Sequence, residues 1–231
     1  MLGLYEILER ITPAFPDVLF EGCSGGGGRF DAGMLPYFPQ YWTSDDTDAI
    51  ERLYIQYGTS LVMPSSTMGA HVSAVPNHQV SRTTPYKTRA HVAMAGQFGY
   101  ELDLAKLSEE EFEETKAQVA EYKEICKTVH QGDMYRLKSP FERSANCCSW
   151  MFVSPDKTEA VLMFATILAS VTGPLTNVKL CGLNPNAAYE VTGTECEKDG
   201  TYDGEFLMNV GLYFSNDRDY KTRLVKIRQV L

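Results

Sequence analysis

Strand-like and helix-like patterns alternate along roughly the first 130 residues, and this alternation limits the fold more than any other feature. Short apolar runs predict four strands, at Val18–Glu21, Tyr41–Ser44, Ser60–Met63 and Phe98–Leu104. Helical periodicity separates these runs, for example over Asp48–Tyr57. Because strands that alternate with helices form βαβ units, we expect a parallel sheet covered by helices.

The pattern changes after Gly132. Trp150–Val153 and Ala160–Ala169 are apolar runs on either side of the turn sequence Ser154–Lys157, and short runs separated by Gly, Pro and Asn follow. Many short strands joined by such turns are typical of an antiparallel β-sandwich, with Trp150 in its core. We therefore expect α/β and all-β domains, at residues 1–132 and residues 133–231.

One long helix is signalled by its first residues. Ser108 and Glu111 have the spacing of a capping box, in which each side chain bonds to the other residue's backbone amide. The acidic run Glu109–Glu111 then lies where the helix dipole favours negative charge. We expect Phe112 and Val129 on the buried stripe of this helix, and we interpret the acidic run as structural.

Composition argues against two classes of partner. The formal net charge is −9, which disfavours nucleic acid because phosphate binding needs clustered Lys and Arg. The sequence contains no run of about 18 apolar residues, so we expect no membrane span. The first residues lack the basic start and the cleavage site of a secretory signal, and we expect a cytoplasmic protein.

The cysteines and histidines show no metal-ligand spacing. Six cysteines are scattered without a C-x-x-C pair, at Cys23, Cys126, Cys147, Cys148, Cys181 and Cys196. Isolated cysteines in a protein without a secretory signal are typically reduced. We therefore expect free thiols, and neither a metal nor a cofactor.

A run of four glycines, Gly25–Gly28, follows the first predicted strand. A phosphate-binding loop is excluded, because no Lys-Ser/Thr follows the glycines and no G-x-G-x-x-G register exists. Two interpretations stay open. The run is either a flexible turn or a place where a ligand approaches bare backbone closely, as in a sugar pocket.

The segment Tyr41–Asp48 contains a Trp, hydroxyl side chains and three carboxylates. Spacing alone favours helix capping for its polar residues, because a helix follows directly. The alternative is that a carboxyl group beside an aromatic ring and the bare backbone of the glycine run forms part of a sugar pocket. Trp42 is either a core residue or a stacking face for a sugar.

These two segments resemble glycoside hydrolase family 36, the microbial α-galactosidases that cleave melibiose and raffinose-type sugars. The resemblance continues through Ser66–Ser73 and Phe98–Asp103, and more weakly through Gly182–Pro185 and Arg223–Arg228 to the end of the sequence. It therefore covers essentially the whole chain. It implies retaining hydrolysis of terminal α-D-galactose by two carboxyl groups.

The resemblance also implies an architecture. In the family a (β/α)8 TIM barrel precedes a C-terminal β-sandwich, and the four strand units here match the second half of such a barrel. The family's nucleophile is an Asp in a Lys-Trp-Asp segment, whereas Trp42 and Trp150 are followed by Thr43 and Met151. We therefore expect a fragment that is inactive by itself.

Site residues follow from the resemblance residue by residue. Asp45 matches the family's proton donor, and Cys23 matches its substrate-contacting Cys. We expect Ser24, the backbone near Gly26 and the ring of Trp42 to contribute further substrate contacts. Asp46, Thr47 and Asp48 are left as helix-capping residues.

Two weaker predictions concern neighbouring residues. We expect Arg29 and Asp31 to form an ion pair that holds the glycine loop. We place His71 in a loop after the third strand, more as a structural residue than as part of the pocket.

The expected ligands are α-galactoside oligosaccharides, and family members commonly form homo-oligomers. Two alternatives to a galactosidase fragment remain at this point. One is a non-catalytic galactoside-binding or complementation fragment, and the other is an α-N-acetylgalactosaminidase. The residues between Cys23 and Asp31 look like the galactosidase version, because a 2-acetamido group needs different room there.

Overall fold

The computed structural model describes residues 2–142, 146–172, 175–193 and 199–230. Its first half is a parallel sheet whose four strands pair in chain order, β1 (Glu21–Gly22), β2 (Gln40–Trp42), β3 (Met68–Ser73) and β4 (Gln97–Glu101). The helices of this half are α1 (Leu2–Ala14), the single turn α2 (Ser24–Gly27), α3 (Ala49–Thr59), α4 (Tyr86–Ala93) and α5 (Glu109–Gln131). Two 3-10 turns accompany them, at Ser65–Thr67 and Leu104–Lys106.

Two predicted strands are wrong. Ser60–Met63 forms turns, because the amides of Ser60 and Met63 donate to helical carbonyls of α3 instead of to a neighbouring strand. The third strand is β3, so His71 lies within a strand and not in a loop. The first strand is restricted to β1, and Val18 and Leu19 are exposed, since β1 pairs only with β2 among the described residues.

The fourth predicted strand is shorter than expected. Strand β4 ends at Glu101, because the side chain of Asp103 accepts a hydrogen bond from the Ala105 amide and begins a 3-10 turn. The capping box of Ser108 and Glu111 is confirmed by both of its hydrogen bonds. Phe112 is exposed, contrary to its predicted place on the buried stripe of α5.

The second half of the described chain is antiparallel. Six strands pair in the order β10-β9-β12-β7-β6-β5, and β8 pairs with β11 in a separate two-stranded sheet. The bounds are β5 (Asp133–Lys138), β6 (Cys147–Val153), β7 (Glu159–Thr166), β8 (Leu175–Val178), β9 (Ala188–Thr192), β10 (Gly200–Asp203), β11 (Leu212–Ser215) and β12 (Lys221–Gln229). A short helix, α6 (Gly204–Asn209), separates β10 from β11.

The six-stranded sheet is covered on both faces. Alternate residues of β6 belong to two different cores: Trp150 and Phe152 pack with Ile125 and Val129 of α5, whereas Met151 packs against the two-stranded sheet. This double burial explains why β6 is buried along its whole length and is apolar apart from Ser149, with no alternation of apolar and polar residues. Trp150 is fully buried as predicted, but it faces the helices of the first half.

The described cysteines are unpaired, and Cys196 lies outside the described residues. Burial raises the pKa of Cys147 and of Cys148, so these two thiols stay protonated near neutral pH. In the described part of the chain no helix is long and apolar enough to cross a membrane.

Candidate functional site

The predicted site residues lie in loops at the carboxyl ends of the parallel strands. Cys23 and the glycine turn follow β1, and Asp45 follows β2. In sheets of this kind, ligands bind outside the carboxyl ends of the strands, where loops from neighbouring strands meet. The chain order β1-β2 therefore brings the glycine turn and the Asp45 loop together.

The glycine turn has a left-handed backbone. Gly25 has φ 66° and ψ 60°, and Gly26 has φ 72° and ψ 43°. The preceding Ser24 also has a positive φ of 59°, and its hydroxyl accepts a hydrogen bond of 3.0 Å from Arg29. Only glycine adopts consecutive left-handed angles at little cost, which explains the glycine run.

The same turn approaches Asp45 closely. A Cβ atom added to Gly26 would lie 2.8 Å from the Asp45 backbone nitrogen and 3.3 Å from its carboxyl carbon. The Asp45 carboxyl group therefore lies against the backbone of the turn. Asp45 and Cys23 are both exposed, so a ligand can reach both side chains.

A ladder of hydrogen bonds holds the residues after Asp45. The Ser44 hydroxyl accepts from the Asp46 amide at 3.1 Å, and the Asp46 carboxylate accepts from the Asp48 amide at 3.0 Å. Asp48 is the N-cap of α3, because its carboxylate accepts from the amides of Ile50 and Glu51. The capping role predicted for Asp48 is confirmed.

Asp46 and Thr47 do not cap the helix. Asp46 bonds to the cap residue, as described above, and the Thr47 hydroxyl accepts a hydrogen bond of 3.1 Å from Asn77 in the loop after β3. Arg82 of the same loop forms an ion pair with the buried carboxylate of Asp48. The Asp45 loop is therefore tied to the next loop along the sheet.

Arg52 is a buried support that the sequence did not indicate. Its guanidinium donates to the carbonyl of Ser44 at 3.3 Å and to the carbonyl of Gly69 in β3 at 2.5 Å. It lies 5.0 Å from the ring centre of Trp42, and burial lowers its pKa to about 10. Arg52 therefore links α3, β3 and the residue that precedes Asp45.

Trp42 is packed between other side chains. Only 9% of its surface is exposed, and its ring stacks on His71 with 4.7 Å between ring centres, besides the contact with Arg52. These contacts leave little of the ring accessible. His71 and Arg52 cover most of the ring, so only its open edge is left for the predicted contact with a sugar.

One face of the parallel sheet is polar. The register pairs Glu21 with Gln40 and Trp42 with Gly69, so these side chains share a face with His71 and Glu101. His71 lies 3.9 Å from Glu101, and burial lowers its pKa despite that carboxylate. The sequence pattern does not reveal this face, because the predicted third strand, Ser60–Met63, ends before β3 begins at Met68.

The ion pair predicted between Arg29 and Asp31 is replaced by other contacts. Arg29 donates to Ser24, and the Asp31 carboxylate accepts from the Gly33 amide at 2.8 Å. Local backbone and hydroxyl partners satisfy both side chains, and no direct pairing of the two is seen among the described residues. The glycine turn is thus held by Arg29 through a hydroxyl and not through a carboxylate.

Comparison with known proteins defines the class as a glycosyl hydrolase. The family model named Melibiase matches residues 1–132, and the model named Glycosyl hydrolase family 36 C-terminal domain matches residues 147–227. Because the first model covers more than half of the chain, the chain belongs to glycosyl hydrolase family 36, the melibiase family.

Individual relatives agree with this assignment. The chain is 56% identical to alpha-galactosidase AgaA of Geobacillus stearothermophilus over 94% of its own length and 29% of that relative. Crystal structures of AgaA variants from that organism, in complex with raffinose and with stachyose, each match it with a TM-score of 0.93 and 52% identity, over 100% of this chain and 31% of the solved chain. The chain therefore spans about a third of the length of the relatives it matches.

Proposed function

We propose that this chain is the part of a retaining α-galactosidase that supplies the proton donor, Asp45. The observation that carries the proposal is the position of Asp45, an exposed carboxyl group at the end of a parallel strand with its backbone and side chain against a left-handed glycine turn. The relatives named as alpha-galactosidases support the choice of reaction.

In the proposed reaction, Asp45 protonates the departing glycosidic oxygen and later removes a proton from the water that releases galactose. A retaining glycosidase also needs a carboxylate nucleophile about 5–5.5 Å from the acid. The 231 residues contain no Lys-Trp-Asp segment. We propose that the nucleophile comes from a part of the enzyme that corresponds to the unmatched two thirds of the relatives.

We further propose that the parallel sheet is half of an eight-stranded barrel, that the antiparallel sheets form a β-sandwich, and that residues 1–132 and 133–231 are separate domains. Two observations support the half barrel. The described parallel sheet has four strands instead of eight, and apolar residues beside β1 are exposed, such as Leu19 at 86%. The polar face with His71 and Glu101 suits the inside of a barrel near its catalytic end.

The proposed substrates are α-galactoside oligosaccharides, since the AgaA structures described above contain raffinose and stachyose. Cys23, Ser24 and the backbone of Gly26 are the proposed contacts to the galactose hydroxyls. The unpaired thiols of the described cysteines support a proposed location in a reducing compartment such as the cytoplasm.

A chimeric enzyme tests this function. The chain replaces the matching segment of the Geobacillus stearothermophilus AgaA, and hydrolysis of an aryl α-galactoside is measured. We expect activity in the chimera and only background hydrolysis by the 231-residue chain alone. Asp45→Asn should reduce kcat of the chimera by about 10²–10⁴-fold, the usual contribution of a general acid and base.

Asp46→Asn is the matched control, because the amide oxygen of Asn can still accept from the Asp48 amide. It should retain activity within a few-fold. Equal losses in the two variants would show that Asp45 acts only as part of the loop. An inactive chimera that is folded, or turnover by the chain alone, would overturn the proposed function.

A further inference from the structure

The connection between β11 and β12, residues 216–220, reaches from the antiparallel half of the chain (β5–β12) onto the parallel half. At its end Tyr220 has a φ of 55°, which residues other than glycine rarely adopt. The Tyr220 carbonyl accepts a hydrogen bond of 2.5 Å from the hydroxyl of Thr88, a buried residue of α4. Thr222 of β12 donates to the same hydroxyl at 3.4 Å. The backbone of Tyr220 is therefore fixed against α4.

The ring of Tyr220 faces a cation of the parallel half. The guanidinium carbon of Arg82, in the loop after β3, lies 5.7 Å from the ring centre, within the range of a cation–π contact. Tyr220 is half-buried and packs against the core that α4, α5 and β12 share. The Arg82 side chain is 25% exposed. Because the pair is largely shielded from water, the ring helps to hold the guanidinium in one position.

The same guanidinium holds the start of α3. Arg82 forms an ion pair with Asp48, whose side chain is 1% exposed, and a nitrogen of its guanidinium lies 3.6 Å from the carboxylate of Glu51. The Asp48 amide donates to the carboxylate of Asp46, the residue directly after Asp45. A buried carboxylate that loses its partner is strongly destabilised. The position of Arg82 therefore affects the segment that follows Asp45.

The Asp45 side chain depends on this segment for its position. It is exposed, so few side chains enclose it, and its place is determined by the backbone before and after it. A general acid must lie within hydrogen-bond reach of the oxygen that it protonates, and a displacement of about 1 Å can reduce the rate by about 10²-fold. Contacts that fix the start of α3 are therefore expected to affect catalysis.

We propose that Arg82 and Tyr220 are positioning residues for Asp45, and that the antiparallel half of the chain takes part in catalysis by holding the proton donor through them. This inference rests on the proposed function, in which Asp45 is the general acid. Arg82 fixes the Asp48 cap, and Tyr220 fixes Arg82. Both residues act through the start of α3 and not on the substrate itself.

The first test measures how much the enzyme depends on its acid. Tyr220→Leu is made in the chimera, and kcat/KM is measured with phenyl α-galactoside and with dinitrophenyl α-galactoside. Phenol needs protonation as it departs, whereas dinitrophenol leaves as a stable anion with little help from an acid. We expect kcat/KM for the phenyl substrate to fall by about threefold to thirtyfold, the rate equivalent of one lost cation–π contact. The dinitrophenyl substrate should be nearly unaffected.

This ratio separates positioning from stability, because both substrates are measured with the same sample and the folded fraction cancels. Tyr220→Phe keeps the ring and should keep the wild-type ratio. Tyr202→Leu is the matched control, since it removes a half-buried tyrosine of β10 that stacks on Phe206 with 5.5 Å between ring centres. It should lower Tm without changing the ratio.

A double-mutant cycle tests whether the two residues act together. Arg82→Lys keeps a cation beside Asp48 but loses the planar guanidinium. Its effect on the phenyl substrate and that of Tyr220→Leu should not multiply in the double variant, because both changes break the same link. Effects that multiply would show that the two residues act separately and would overturn the inference.

Asp45→Asn supplies the reference for the first test. It should reduce kcat/KM for the phenyl substrate far more than for the dinitrophenyl substrate, and equal or absent effects count against the proposed function itself. If Asp45→Asn behaves as expected, an unchanged ratio in Tyr220→Leu overturns the inference alone. The same change of ratio in Tyr202→Leu also overturns it.

The second test uses the chain alone and needs no hydrolysis. NMR spectra are recorded for the unmodified chain, Tyr220→Leu and Tyr202→Leu. We expect the amide signals of Asp45 and Asp46 to shift in Tyr220→Leu but not in Tyr202→Leu. If these signals stay in place, or move equally in both variants, the inference is wrong. An inactive chimera with the expected shifts counts against the proposed function alone.

Discussion

Gly26→Ala is the substitution that most directly tests the close contact between the glycine turn and the Asp45 loop. The new Cβ atom would lie 2.8 Å from the Asp45 nitrogen, well inside van der Waals contact, on a residue with φ +72°. Gly25→Ala supplies a matched control, because Gly25 has φ +66° and nothing lies within 4 Å of its added Cβ atom. Both variants carry left-handed strain, but only one carries the clash.

The expected magnitudes follow from these two terms. Left-handed backbone at a residue other than glycine costs about 1–2 kcal/mol. For a domain of this size, about 1 kcal/mol lowers Tm by about 2–4 °C. Gly25→Ala should therefore lower Tm by about 2–8 °C. Gly26→Ala should lower it by several degrees more, because the turn must move away from the loop that Arg52 holds.

The assay is thermal unfolding of both variants, followed by circular dichroism, with activity measured in the chimera. Gly26→Ala should displace the Asp45 amide signal in NMR spectra and reduce kcat, whereas Gly25→Ala should leave both near their wild-type values. If Gly26→Ala loses no more Tm and no more activity than Gly25→Ala, the turn acts only through its backbone angles and the close approach to Asp45 does not exist in solution.

Three further predictions concern the supports of the site. Asp48→Ala should lower the free energy of unfolding by about 2–3 kcal/mol in urea denaturation, because it removes both the cap and the buried partner of Arg82. Ser108→Ala, which removes a cap alone, should cost only about 1 kcal/mol, and equal losses would contradict the reasoning. Arg52→Met removes the donor to the buried Gly69 carbonyl and to the partly buried Ser44 carbonyl and should cost about 2–4 kcal/mol, with partial recovery in Arg52→Lys. Burial lowers the pKa of His71, so its protonation favours the unfolded chain. The stability that neutral His71 contributes is complete above about pH 6.5 and is lost as the pH falls from there toward the lowered folded-state pKa. His71→Gln should flatten the dependence of unfolding free energy on pH in that window, and an unchanged slope would show that burial does not govern this group.

Local signals in the sequence predicted the features that depend on neighbouring residues. The capping box at Ser108, the helix after Asp48 and the turn at Ser154–Lys157 all appear where expected. In each case the hydrogen-bond partners lie within a few residues of one another, so composition and spacing are sufficient. The same holds for the glycine turn, where the residue type alone permits the left-handed backbone.

Strand positions were less predictable, because two apolar runs had no partner to pair with. Leu61 and Val62 look like a strand but are exposed in a turn at the end of α3, whereas the true strand begins at Met68. A strand requires a neighbour at the right register, and that neighbour is distant in sequence. Leu19 is exposed for the related reason that β1 is an edge strand of the described sheet.

The sequence by itself determined the family, the proton-donor candidate Asp45 and the glycine turn, because motifs and backbone preferences are local properties. Only the tertiary structure revealed that Arg52 bonds to carbonyls of Ser44 and Gly69, and that Trp42 is enclosed by His71 and Arg52. Such contacts join residues that lie far apart along the chain. They arise from how strands register and helices pack, which no single segment specifies.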